Sequence, residues 1–213
     1  MTPGAVVFDM DGVLVDSGAH HRAAWEALLA DMGVPAPPEF WRRTIGRPAS
    51  EAVATLLDRA LAADEAHELS RRKHAHYLRL AAGGLPAVRG APAYVAAVVG
   101  AGVPCAVATS ARRVDATRLL GDLGLLERFR AVVAAEDVAR GKPDPEVFRL
   151  AARRLGVASG RCLVFEDSLV GVHAARAAGM RVIGVTTAHT EAELRAAGAE
   201  RAIADFEALA WPP

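Results

Sequence analysis

The chain has 213 residues, 52% of them hydrophobic, enough to bury one good core and a small second one. Its 25 basic and 25 acidic residues cancel, so the whole-chain charge offers no footprint for nucleic acid or an anionic membrane. The two cysteines, Cys105 and Cys162, each sit inside an apolar run and read as small buried hydrophobes in a reducing cytosol, not as a disulfide or a metal pair.

The first element is an apolar strand in "VVFDMDGVLVDS", Val6 to Ser17, which stops on Asp9 and Asp11. It starts so near Met1 that no signal peptide is expected ahead of it, and a cytoplasmic location follows. From Ser17 to about Gly84 the pattern is helical, with no convincing strand: "HHRAAWEALLADMG", "PEFWRRTIG", "SEAVATLLDRALAA" and "EAHELSRRKHAHYLRLAAGG". A helical insertion after strand one, closed by Gly-Gly-Leu-Pro, reads as a small cap domain spanning 17–84. The core is then 1–16 together with 85–213. Next comes the uncharged stretch Ala91 to Ala111, long enough for a membrane span. Gly100, Gly102 and Pro104 interrupt it, so it reads as a buried helix, a tight turn and the strand "VPCAVATS". Helix "RRVDATRLLGDLGL" follows, then strand "AVVAAE", helix "DPEVFRLAARRLGV", strand "CLVFED", helix "SLVGVHAARAAG" and strand "RVIGVT". A helix "TEAELRAAG" and a short strand near "AIADF" end the chain. Strands that are continuous apolar runs, alternating with helices, predict a doubly wound, Rossmann-like parallel α/β sheet covered on both faces.

Ligands bind such sheets at the carboxyl ends of the strands. Those ends deliver Asp9 and Asp11, then Thr109 and Ser110, then Lys142 in "GKPDP", then Glu166 and Asp167. Two carboxylates where a buried strand stops repel each other unless a positive charge lies between them. Asp9, Asp11, Glu166 and Asp167 together suit a hard cation that takes oxygen ligands and keeps several waters, which describes Mg²⁺. Taken singly, each piece has a plainer reading: Asp before Gly makes a turn, and Glu166 or Asp167 caps the next helix. Only Lys73 and Lys142 among the 25 basic residues are lysine. A compact ammonium at Lys142 points at one phosphoryl oxygen where a planar guanidinium would not fit.

The stretches "FDMDGVLVDS", "ATSA", "GKPDPEVF" and "VFEDSLVGVHAARAAGM" resemble the haloacid dehalogenase superfamily, in its phosphatase and β-phosphoglucomutase-like branch. The resemblance spans nearly the whole core. It implies a Rossmann-like core with a helical cap, and Mg²⁺-dependent phosphoryl transfer through an aspartyl-phosphate. It makes Asp9 the nucleophile and a metal ligand. Asp11 becomes the general acid and base, with its backbone carbonyl on the metal. Thr109 and the amides after it hold the phosphoryl oxygens, beside Lys142, while Glu166 and Asp167 complete the metal site. Ser110, Arg112, His21 and Lys73 become substrate-binding or closure residues. Arg47 lies near the place where the mutases carry a phosphate-binding arginine, but Ala49 occupies that place. His74, His76, Trp25 and Trp41 read as cap packing or surface.

The expected function is a phosphomonoesterase acting on a small phosphorylated metabolite, a sugar phosphate by preference. A β-phosphoglucomutase is the alternative. A receiver domain shares the acidic pair, the Thr/Ser and the Lys, yet has no use for the insertion, and Asp11 would shorten the life of its phospho-aspartate. The chain is expected to act as a monomer, without nucleic-acid or membrane partners.

Overall fold

The computed structural model describes residues 2–213. Six parallel strands form one sheet: β1 (Ala5–Phe8), β2 (Cys105–Ala108), β3 (Ala131–Val133), β4 (Cys162–Glu166), β5 (Arg181–Val185) and β6 (Arg201–Ile203), in the order β3-β2-β1-β4-β5-β6. The chain runs outward from central β1 through β2 to β3, then returns to the far side of β1 for β4, β5 and β6. This reversal opens a crevice beyond the carboxyl ends of β1, β2 and β4.

Both faces of the sheet are apolar, as parallel strands require. Val6 and Phe8 pack into one cluster with Tyr94 and Val95 of helix α4 (Ala91–Gly100) and Leu119 of helix α5 (Arg113–Asp122). Ala5 and Val7 pack into the other, with Phe148 of α6 (Glu146–Leu155), Val172 of α7 (Leu169–Ala177) and Leu194 of α8 (Glu191–Ala196). The uncharged stretch is therefore α4, a turn with Gly102 at φ 76°, and β2. No helix among the described residues is long and apolar enough to cross a membrane. Cys105 and Cys162 are free and buried, and burial pushes their thiols up to about 12 and about 11.

Between β1 and α4 lie helices α1 (Gly18–Asp31), α2 (Ala49–Leu57) and α3 (Ala63–Leu80). They enclose a third apolar cluster built on Trp25, Leu28, Leu29, Phe40, Val53 and Leu69. The chain enters and leaves this insertion side by side. The Asp16 N–H donates to Pro86 O at 2.8 Å, and the Val88 N–H to Leu14 O at 3.0 Å. Three details differ from the sequence reading. The helix over "SEAVATLLDRALAA" stops at Leu57, because Asp58 takes a left-handed conformation at φ 51°. "PEFWRRTIG" makes only a 3-10 turn, Phe40–Arg43, after a run of prolines that disfavours an α-helix. "AVVAAE" gives just three strand residues before the 3-10 turn Ala135–Asp137, where the Asp137 carboxylate draws in the Ala134 N–H at 2.9 Å.

Candidate active site

Asp9 stands one residue beyond β1, and its N–H continues the ladder to Phe165 O at 3.0 Å. The next residues fold into a tight loop in which the Leu14 and Val15 N–H groups both donate to Met10 O. Gly12 turns this loop at φ 76°, and a Cβ there would overlap the Asp167 carboxylate. The loop thus brings the end of β1 against the end of β4, and three buried acids meet. Asp9, Glu166 and Asp167 offer carboxylate oxygens within 4.8 Å of one another.

One buried cation serves this cluster. Lys142, 1% exposed, donates to Asp9 Oδ1 at 2.7 Å and to Glu166 Oε2 at 2.8 Å. The other Glu166 oxygen accepts from the Ser168 N–H at 3.0 Å and the Ser168 hydroxyl at 2.7 Å. Ser168 also accepts the Gly171 N–H at 3.0 Å and so caps α7. A Cβ on Gly171 would overlap the Glu166 carboxylate, so only glycine lets α7 pack this closely.

The electrostatics show a shortage of positive charge. Burial, then the charge of Glu166, raises Asp9 to about 8 in spite of Lys142. Burial, then Glu166 and Asp9, raises Asp167 well above the usual carboxylate range. Three acids against one lysine fit a divalent cation, which would return Asp9 and Asp167 to their ionised forms. The donors are all oxygens, as Mg²⁺ prefers. Asp9, Asp167 and Glu166, the last anchored by Lys142 and Ser168, are the carboxylates that would hold it.

Asp11 points elsewhere. Its Oδ1 accepts the buried Ser17 hydroxyl at 2.6 Å and faces His21 Nε2 at 3.2 Å. His21 Nδ1 in turn lies 2.6 Å from Lys73 Nζ. A lysine ammonium only donates, so Nδ1 accepts and Nε2 carries the proton that Asp11 receives. His21 stacks on Tyr77, with ring centroids 4.3 Å apart, and Lys73 lies 5.2 Å above the Trp25 ring. Burial would raise Asp11, but the charge and hydrogen bond of His21 and the Ser17 hydroxyl outweigh it and lower its pKa. Burial also lowers His21, aided by Lys73, and takes Lys73 down to about 8.

A cleft of about 1080 Å³ opens onto these groups. Asp9, Asp11, Thr109, Ser110, Asp167 and His21 line it, as do Lys73, Arg112 and Arg47. Thr109 is buried and its hydroxyl accepts the Ala111 N–H at 3.0 Å, while the Ser110 hydroxyl donates to Gly46 O at 3.1 Å. Lys142 and Glu166 lie behind the lining, reaching it through Asp9. The sequence reading missed several contributors. Ser17 and Ser168 hold Asp11 and Glu166 from six and two residues away, and lying in the same acidic stretches was their only signal. Thr187 donates to Gly12 O at 2.6 Å across 175 residues, which nothing local announces. Trp25, Trp41 and His74, read as packing or surface, line the cleft as well.

Residues 3–179 match the family described as haloacid dehalogenase-like hydrolase. The chain is 35% identical over 209 residues to validoxylamine A 7'-phosphate phosphatase from Streptomyces hygroscopicus subsp. limoneus, covering 97% of this chain and 95% of that one. It is 35% identical over 181 residues to fructose-1-phosphate phosphatase YqaB from Escherichia coli (strain K12), covering 84% and 95%. The crystal structure of a hydrolase from Pseudomonas syringae superimposes with a TM-score of 0.85 at 30% identity, covering 93% and 92% of the two chains. Six parallel strands in this order, the buried acids at their carboxyl ends and these matches lead to one assignment: the chain is an enzyme of the haloacid dehalogenase-like hydrolase family, in its phosphatase and β-phosphoglucomutase-like branch.

Proposed function

We propose that this protein is a Mg²⁺-dependent phosphomonoesterase that hydrolyses a small sugar or polyol phosphate through an aspartyl-phosphate on Asp9. The supporting observation is the division of labour between its two aspartates. Asp9 is locked between Lys142 and the acidic cluster, while Asp11, two residues on, is held by Ser17 and His21 at the cleft. The relatives named as phosphatases of a validoxylamine 7'-phosphate and of fructose 1-phosphate support the substrate class.

In the first step an Asp9 carboxylate oxygen bonds to phosphorus as the bond to the substrate oxygen breaks. Asp11 takes up a proton as the phosphate dianion binds beside it, offsetting its lowered pKa, and gives that proton to the leaving oxygen. In the second step Asp11 takes a proton from water, whose oxygen attacks phosphorus, and the bond to Asp9 breaks to release inorganic phosphate. Lys142 holds Asp9 in place, and Thr109 with the amide groups after it holds the phosphoryl oxygens. The bound Mg²⁺ would supply charge neutralisation between the Asp9 carboxylate and the incoming phosphate dianion. His21 and Lys73 set the orientation of Asp11. Residues 17–84 act as a cap that shuts the cleft, and residues 1–16 with 85–213 form the catalytic core. Phosphate release from a panel of sugar and polyol phosphates, with Mg²⁺ and with EDTA, tests this reading. No release from any of them in Mg²⁺ would reject it.

One observation favours a mutase as the second reading: Arg47 lines the cleft although Ala49 holds the place where that arginine was expected. β-Glucose 1-phosphate with a trace of its 1,6-bisphosphate separates the two. The esterase reading expects free phosphate to outpace glucose 6-phosphate, and the reverse would make the mutase correct.

A further inference from the structure

Asp115 takes no part in the chemistry above. It sits in the first turn of α5, is only 7% exposed, and lines the cleft. An acid at this third helical position can reach back to the N-cap N–H, yet α5, whose N-cap is Arg112, shows no such bond from Asp115. The nearest partner of its carboxylate is His74 Nε2, 3.6 Å away, beyond hydrogen-bond reach. Its acceptor sites therefore stay unused among the described residues. The residue is buried, yet its carboxylate oxygens open onto the cleft, free to accept from whatever fills it.

The cleft is the side from which donors can reach this carboxylate. Around Asp115 the protein's own candidates are committed or turned away. Lys73 is bound to His21, Arg112 is exposed at the rim, and Arg118 reaches to Asp122 at 3.4 Å. The Tyr77 hydroxyl in the same lining is also buried without a hydrogen-bond partner. Asp115 lines the same cleft as Asp9, Asp11 and Lys73, and its neighbour His74 follows Lys73 on α3, so one small ligand can meet both ends.

We propose that Asp115 is a specificity-determining residue: its carboxylate accepts hydrogen bonds from hydroxyl groups on the sugar or polyol part of the substrate. Two vicinal hydroxyls match the two oxygens of a carboxylate. Its charge also repels a second phosphate at that end, an unfavourable contact that selects against the competitor as well as for the substrate. The favoured class is a monophosphate with a neutral, hydroxylated remainder. This inference rests on the phosphomonoesterase reading.

The test compares kcat/KM for fructose 1-phosphate, fructose 1,6-bisphosphate and p-nitrophenyl phosphate in the wild-type protein, Asp115→Ala and Asp115→Asn. A hydrogen bond to a charged group contributes enough that its loss lowers the fructose 1-phosphate to p-nitrophenyl phosphate ratio by about 10–100-fold in Asp115→Ala. The bisphosphate to monophosphate ratio should rise about tenfold in both variants, because both remove the charge, whereas Asp115→Asn should keep part of the first ratio. Turnover of p-nitrophenyl phosphate reports whether a variant is folded, and Asp115→Asn decides alone if Asp115→Ala is not. Both ratios staying within about twofold of wild type would overturn the inference and leave the esterase reading intact. So would a wild-type preference for p-nitrophenyl phosphate over fructose 1-phosphate. A wild-type protein that hydrolyses none of the three would instead sink the esterase reading, and the inference with it.

Discussion

Asp9 and Asp11 are two residues apart and chemically unlike, and their neighbours make them so. Lys142 and two buried acids surround Asp9, whereas Ser17 and His21 hold Asp11. Asp9→Asn should abolish phosphate release while leaving the melting temperature near wild type, because it removes the nucleophile but not the hydrogen-bonding shape. Asp11→Asn should cost about 10²–10⁴-fold in kcat, the usual range for a general acid–base. Near-normal turnover by Asp9→Asn would rule out the covalent route. Gly171 tests packing at the same scale. Its missing Cβ makes room for the Glu166 carboxylate, so Gly171→Ala should destabilise the fold by about 1–3 kcal/mol, read from the urea midpoint. An unchanged midpoint would show that α7 can retreat without loss.

At the level of elements, Asp137 joins three pieces that the chain keeps apart. Its carboxylate accepts from Arg113 at the start of α5, from Arg154 near the end of α6 at 3.0 Å, and from Ala134 beyond β3. Burial would raise its pKa, but the Arg154 hydrogen bond, the Ala134 N–H and Arg113 together hold it at about 2. A depressed carboxylate stabilises the fold above its unfolded pKa of about 4 and loses that contribution as pH falls through about 2. Asp137→Asn should therefore cost about 1 kcal/mol at neutral pH, a figure reduced for partial exposure, and almost nothing at pH 2. Denaturant titrations of both proteins across pH 2–7 check this, and a pH-independent difference would refute it. β3 shows why local pattern misleads here. The run "AVVAAE" is apolar enough for a longer strand, but Asp137 folds back on Ala134 and ends it.

For the whole molecule, what counts is how the helical insertion is fastened to the sheet. It is tied down at two distant points. Arg42 makes a two-pronged bridge to Glu193 at 2.8 and 2.7 Å across 151 residues, and Ser110 holds Gly46 O. Glu193 also closes the capping box of α8 with Thr190, so the bridge lands on a fixed carboxylate. Arg42→Ala should loosen the hold of the insertion on the core and raise KM for a sugar phosphate about two- to fivefold with little change in the melting temperature. An unchanged KM would mean that the bridge contributes nothing to substrate binding. Removing the metal should act at the same level. EDTA should abolish turnover and added Mg²⁺ restore it. Ca²⁺, with its larger and looser ligand shell, should inhibit. Full activity in a metal-free preparation would exclude the role given to the acidic cluster.

The chain by itself determined the alternation of strands and helices, the parallel sheet and the order in which acids, hydroxyl and lysine reach its edge. Each of these is a local signal, an apolar run that stops on a polar residue, and a doubly wound sheet places all such stops on one side. Tertiary structure alone decided which carboxylate meets which partner. Lys142 lies 133 residues from Asp9 and Thr187 lies 175 from Gly12, and no periodicity encodes a contact over that span. The same holds for Asp115 and for His74, on helices that touch only after folding. A sequence shows an aspartate in the first turn of a helix. Only the packed cleft shows that this one is buried, caps nothing and has acceptors to spare, because burial and unsatisfied hydrogen-bonding capacity belong to the surroundings of a residue and not to its neighbours in the chain.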